Sequence, residues 1–344
     1  MSQNEALGVA DERLGIDRPV RPWQRLLLTN EFGLIILIVL FIAIFSFLAP
    51  AFLNRFSVFA MGRTMAIDIV IGLSMMVVIV TGGLNLSVGA TAVSAVMFGG
   101  WIIERAGLPM PAAILGALAM GAALGWINGM IIVKSGIHSF IITLATMSIF
   151  FGVMIFLTHA EAFRALPPEV AAFGKAKIGG YMSPLLLVML AVALSLSYLY
   201  RYTGLGRRML AAGASPAAAE LSGIRVNRTF VACHVLSGLL ATIAGLMLTA
   251  RTGAAIPSMA GHLGQDWLLP AFLAPVLGGT LLNGGRVSVA GTVLGGALVT
   301  VLSAGLLLMQ VGEFWVKAVL GLLLLLAVFT DAARRVYLAR RKMV

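Results

Sequence analysis

The sequence is short of what a water-soluble protein is built from. Only 11% of its 344 residues are charged, and 13 are acidic, whereas a soluble chain carries about a quarter charged residues. Its single cysteine, Cys233, permits no internal disulfide and cannot by itself form a thiolate metal site. There is no Gly-x-x-x-x-Gly-Lys-(Ser/Thr) phosphate loop, because Gly174-Lys175 is followed by Ala176. There is also no His-Glu-x-x-His pair and no Gly-x-Ser-x-Gly elbow. A soluble enzyme, a disulfide scaffold, ATP hydrolysis by this chain alone and an intramembrane hydrolase are therefore excluded.

What fills the chain is apolar: 60% hydrophobic residues with 39 Gly and 18 Met, at a mean hydropathy of +1.03. That composition suits helices packed within lipid. The fold class is all-α and polytopic. Apolar runs long enough for a bilayer core of about 30 Å lie at 33–52, 67–83, 86–103, 111–133, 137–158, 183–200, 229–249, 267–282, 287–308 and 314–332, about ten transmembrane helices. The run 267–282 is short and broken by Pro270 and Pro275, the pattern of a kinked or re-entrant segment. Residues 31–335 form the membrane domain, between a tail at 1–30 and a basic tail at 336–344. Ala49-Pro50-Ala51 mimics a cleavage site, but the long polar stretch before the first run reads as a tail preceding an uncleaved anchor.

The net charge of +11 sits in the connections. An even number of spans places both termini on one side. That side, with the 201–228 segment, receives about twice the Lys and Arg of the other, which makes it cytoplasmic. Nucleic acid is not needed to explain the basic excess. Glu104, Glu161, Glu169, Asp266 and Glu313 fall outside. The outer segment 159–182, with Pro167, Pro168 and several glycines, reads as a loop with one short helix.

Within 201–228, Ser215 is a good N-cap and Pro216 suits the first helical turn. Ala217 to Leu221 favour helix, and Gly223 can close it in a left-handed C-cap. The product is a short, stiff helix with a small face, either a docking surface or a capped surface turn near anionic lipid. Glycine pairs recur at Gly82-Gly83, before Ser87 and Gly89, and at Gly284-Gly285, before Ser288 and Gly291. They allow positive φ and close backbone approach, and the recurrence hints at two related halves.

Polar residues within the spans are few. Asp68 is placed near the outer start of its span, where a helix N-terminus and water favour a carboxylate. Glu313 and Lys317 form an interfacial i,i+4 pair. His138 and His234 read as hydrogen-bonded packing residues. Asn128, Thr143 and Thr146 serve either a polar path or interhelical hydrogen bonds. An ion-coupled carrier needs embedded carboxylates or an ion cage, so this scarcity favours energy supplied from outside the chain.

The ordered set of motifs resembles ribose/xylose/arabinose-type permeases of ATP-binding-cassette (ABC) importers. It comprises Thr81-Gly-Gly-Leu-Asn-Leu-Ser-Val-Gly89, Thr203-Gly-Leu-Gly-Arg207, Ala212-Gly213, Ser215-Pro216, Ala218-Ala219, Leu221-Ser-Gly-Ile224, Leu236-Ser-Gly-Leu-Leu-Ala241, Leu277-Gly-Gly-Thr280 and Gly284-Gly-Arg-Val-Ser288. Where the family usually has an acidic residue, this chain has Asn85. The resemblance implies a bacterial inner-membrane subunit forming the path for a monosaccharide or small polyol. Branched-chain amino acids or nucleosides are the rival cargo, and an ion-coupled carrier the rival class. The implied partners are a cytoplasmic ATPase subunit that carries ATP and magnesium, a second permease copy and a periplasmic solute-binding protein. This chain itself binds no cofactor or metal. Gly204, Gly206, Arg207, Gly213, Ser215, Pro216, Ala218, Ala219, Leu221 and Gly223 are the implied ATPase-coupling residues. Gly82, Gly83, Asn85, Ser87 and Gly89 are the path candidates.

Overall fold

The structure, a computed structural model, describes residues 30–341. The expected tail 1–30, except Asn30, and residues 342–344 of the basic tail lie outside these. All regular elements among the described residues are helical: α1 (Asn30–Leu48), α2 (Arg55–Ile79), α3 (Val88–Glu104), α4 (Met110–Ser135), α5 (Ser139–Thr158), α6 (Pro168–Lys175), α7 (Pro184–Tyr202), α8 (Gly204–Ala214), α9 (Pro216–Leu221), α10 (Val226–Thr252), a 3₁₀ segment (His262–Trp267), α11 (Leu268–Leu277), α12 (Val289–Leu308) and α13 (Glu313–Arg341). Helices α1, α2, α4, α5, α7, α10 and α12 are long and apolar enough to cross a membrane. The other three expected spans differ in form. Helix α3 has 17 residues, α11 only 10, and α13 continues to Arg341.

Helix α2 is the central post. From Ala66 to Ile79 its residues are buried with the exception of Asp68, which is half-buried; a helix apolar on all sides belongs in the interior. It packs against α7, α10, α11 and α12, while α10 also packs against α3 and α4. The α4–α10 crossing is made by small residues. Gly121, Gly125 and Gly129 of α4 leave no room for a Cβ against Gly238, His234 and Val231 of α10, which lets the backbones touch. Helices α1, α5 and α7 leave large apolar side chains such as Phe47, Phe156 and Leu194 exposed, as lipid-facing helices do.

Two sequence expectations are corrected. Helix α2 begins at Arg55, capped by the Asn54 side chain, twelve residues before the expected span at 67. Arg55 and Arg63 had broken the apolar run without breaking the helix. Asp68 is therefore about three and a half turns inside α2, beyond the reach of the helix terminus. Its Oδ2 instead accepts a hydrogen bond from Thr300 Oγ1 of α12 at 3.1 Å. The second correction concerns Gly83, where φ is not positive; in that turn the left-handed residue is Gly82 (φ 77°).

The connections sort into two groups. One holds Arg105 with Glu161 (2.6 Å), Phe163 paired with Ala255 in both backbone directions (2.9 Å), and Arg55 stacked on Tyr181. The other holds the 80–87 and 278–288 turns, the α8–α9 segment, and Ser288 bonded to Glu31. Between 159 and 182 the expected short helix is α6.

Candidate functional site

The α8–α9 segment folds as its local chemistry dictates. Thr203 caps α8 through its hydroxyl, which accepts from Gly206 N at 3.2 Å. Ser215 caps α9, accepting from Ala218 N at 3.4 Å, with Pro216 in the first turn. Gly223 sits at φ 80°. Ile224 N donates to Ala219 O and Gly223 N to Glu220 O, the paired bonds of a Schellman closure.

The segment has two faces. Arg207, Ser215, Pro216, Ala218 and Gly223 are exposed, as is Gly204, and Leu221 is 91% exposed. The capped turn holds this leucine away from the bundle. Ala219 points the other way, buried against Ala212 and Val226. Gly206 is also internal, where a Cβ would overlap Leu199 O. Ala219 and Gly206 thus hold the segment onto the helices instead of presenting a surface.

Gly213 is where the segment meets the core. A Cβ there would overlap Val80 O and stand 2.6 Å from Gly285 N. Those two atoms are themselves hydrogen-bonded, Gly285 N donating to Val80 O at 2.8 Å. A Cβ at Gly284 would stand 2.7 Å from Gly82 N and 3.1 Å from Gly213 O. The α8–α9 segment and both glycine turns therefore converge backbone to backbone at one point. The recurrence seen in sequence joins two turns that touch.

From that point residues 80–89 run as a strap to a second backbone contact. A Cβ at Gly89 would overlap Gly264 O, and one at Gly264 would stand 2.5 Å from Gly89 C. Between its ends the strap is braced by side chains. Ser139 Oγ accepts from Leu84 N (2.8 Å) and Thr143 Oγ1 from Leu86 N (3.0 Å). Asn128 Nδ2 donates to Ser87 Oγ (2.7 Å), and Ser87 Oγ donates to Asn85 Oδ1 (2.8 Å). Asn85 Nδ2 donates to Ser237 Oγ (3.0 Å), which lies 3.0 Å from Ser74 Oγ. The network ties α2, α4 and α10 to the strap, and all five of its residues are buried.

The path candidates thus occupy different places. Asn85 and Ser87 are committed to this network, Gly89 is closed under Gly264, and Gly83 packs on Val78 and Ser139. Gly82 reaches a cleft of about 490 Å³ that it lines with Leu84, His138, Phe272, Val276 and Asn283. Asn128 and Thr143 bond to the strap, at Ser87 and at Leu84 and Leu86, and not to a neighbouring helix. Thr146 bonds within its own helix, to Thr143 O. His138 caps α5 and His234 bonds to Phe230 O. Ser74 was not legible as a partner, since nothing local distinguishes it from other serines in apolar helices, and Ser237 stood in the Leu236–Ala241 motif with no partner attached to it. The role of Gly213 could have been read only from its position beside a helix cap.

Comparison with known proteins follows the same outline. Residues 57–328 match the family described as Branched-chain amino acid transport system / permease component. The chain belongs to that family. Ribose import permease protein RbsC of Bacillus subtilis (strain 168) is 38% identical over 302 residues, covering 87% of this permease and 90% of that protein. The RbsC of Escherichia coli (strain K12) is 35% identical over 313 residues, 88% and 94% of the two chains. Fructose import permease protein FrcC of Rhizobium meliloti is 32% identical over 305 residues, 87% and 84%. No solved structure matches the permease significantly. With its apolar helices, the permease is a multi-pass protein of the inner membrane.

Proposed function

We propose that this permease is the membrane subunit of an ABC importer for a monosaccharide or similar small polyol. The observation that carries the reading is the strap 80–89, fixed at one end to the capped α8–α9 segment through Gly213 and at the other to Gly264. A displacement of the cytoplasmic segment reaches the interior of the bundle through backbone contacts. Helix α9 presents Ala218 and Leu221 to a separate ATPase subunit, which binds ATP and magnesium. The strap shapes the path from behind, while Gly82 faces it directly.

In this reading α3, the descending segment with α11, and α13 complete ten passes, and both termini are cytoplasmic. A second permease copy forms the other half of the path, and a periplasmic binding protein delivers solute to the opposite mouth. The cargo class follows from the relatives, whose names are those of ribose and fructose import permeases.

The test is uptake by the permease reconstituted in liposomes with its ATPase and binding protein. Accumulation of D-ribose or D-fructose that requires internal ATP is expected. Accumulation of leucine in place of sugar would move the cargo to branched-chain amino acids. Uptake by the permease alone under an ion gradient would overturn the class, a comparison made sharper by the mid-helix position of Asp68.

A further inference from the structure

The segment between α10 and α11 descends into the bundle with only the short 3₁₀ stretch His262–Trp267, itself broken by left-handed backbone at Leu263 and Gly264. Its depth is set by Gly264, whose backbone lies against Gly89 and Ala90. Gly89 is the second residue of α3, and that helix ends at Glu104, beside the exposed Arg105–Glu161 pair. Fifteen residues of helix separate the two levels, about 22 Å at 1.5 Å per residue. In a hydrocarbon core of about 30 Å, Gly264 therefore lies well below the outer mouth. Irregular backbone is stable at such depth only inside protein or beside water.

Three polar side chains stand at this tip, and all three are exposed: His262, Gln265 and Asp266. Among the described residues, nothing bonds to the Gln265 amide. His262 rests its ring against Phe151 at 5.6 Å. Leu263 is held in a left-handed conformation, φ 58° and ψ 12°, strain of the kind that accumulates at binding sites. Helix α11 starts immediately afterwards with no side-chain cap, the half-helix arrangement that transporters place at solute sites. On the far side of α11 lies the cleft that Gly82 lines, to which Phe272 and Val276 of the same helix belong.

We propose that His262, Gln265 and Asp266 are the solute-contacting residues of the path, and that they take a neutral, hydroxylated solute. The inference rests on the importer reading above. An amide that both donates and accepts, a carboxylate and an imidazole match the hydroxyls of a polyol. Asp266 Oδ1 is paired with Lys317 at 3.0 Å, and Lys317 is held as well by Glu313 at 3.3 Å. Among the described residues, no unpaired Lys or Arg remains at the tip to receive the carboxylate of an amino acid, and two acids around one lysine disfavour phosphorylated cargo.

The test is cysteine accessibility in membranes containing the permease with its partner subunits. Cys233 is buried, so the background is silent. In Gln265→Cys, a membrane-impermeant methanethiosulfonate added from outside should react at least about tenfold faster than in Leu115→Cys, a lipid-facing control, because the thiolate forms only in contact with water. Saturating binding protein loaded with D-ribose should slow the reaction, and the modified complex should lose uptake. Reaction no faster than at Leu115, absence of protection by solute, or wild-type uptake after modification would each overturn the site. Labelling does not require sugar uptake, so loss of the site and failure of the importer reading are separately visible.

Discussion

The contact at Gly213 gives the sharpest prediction. Gly213→Ala adds one methyl where the structure has Val80 O and Gly285 N. Because Gly213 lies in α8, the substitution gains up to ~1 kcal/mol of helix propensity. Against this, forcing a group into a closed contact costs ~1–3 kcal/mol. Separating Gly285 N from Val80 O loses a buried hydrogen bond and leaves both groups unsatisfied, costing ~1–3 kcal/mol more. The balance is a loss of ~1–6 kcal/mol where the α8–α9 segment meets the strap backbone to backbone. Since 1.4 kcal/mol is about tenfold in a population, ATP-driven uptake should fall roughly tenfold or more while the protein still inserts. The control is Gly152→Ala in α5, where a new Cβ meets nothing within 4 Å. Uptake in proteoliposomes, beside thermal unfolding in detergent, reads both quantities. If Gly213→Ala transports and unfolds like the parent, the backbone junction is not what couples the segment to the bundle.

Other outcomes follow from the same geometry. Ala218→Arg, on the exposed face of α9, should leave the unfolding temperature unchanged and abolish ATP-driven uptake. Uptake retained in that variant would remove α9 from the docking surface. Gly82→Val forces a branched side chain into φ 77° and towards Asn283 O, and should destabilise the strap by ~1–3 kcal/mol, seen as lost uptake and a lower unfolding temperature. Asn85→Leu removes two buried hydrogen bonds, taking the acceptor from the Ser87 hydroxyl and the amide donor from Ser237, for a loss of ~2–4 kcal/mol in thermal unfolding. Asp68→Asn keeps an acceptor for Thr300, so ATP-driven uptake should stay within about twofold of the parent, as expected for a hydrogen-bonded packing residue. A large drop, or a new dependence on the ion gradient, would argue for the carrier mechanism.

The parts of the site that were legible in sequence are those set by neighbours along the chain. Ser215, Pro216 and Gly223 announce a capped helix because capping is a matter of a few consecutive residues, and the structure has it. The glycine turns were legible as turns, and even their recurrence was visible. What the turns touch was not, since Val80, Gly213 and Gly285 are far apart in the chain and share no periodicity. The start of α2 was misplaced because Arg63 reads as the end of an apolar run, although a helix tolerates it where Phe59 offers its ring at 4.6 Å. The segment 261–267 reads as an ordinary polar connection, because its depth is fixed by a distant glycine. Pro270 and Pro275 correctly marked the run as irregular, but only the ten-residue length of α11 shows how far short of a full span it falls.

The joints at Gly213 and Gly264 contain no side chains, and that bears on how such a machine can diversify. A junction of bare main chain has no rotamers to absorb a push and nothing for mutation to adjust gradually; it is kept or lost. With solute contacted as proposed, variation in cargo is written at the exposed tip, where His262, Gln265 and Asp266 can change without touching either joint. One drive linkage can then serve many solutes.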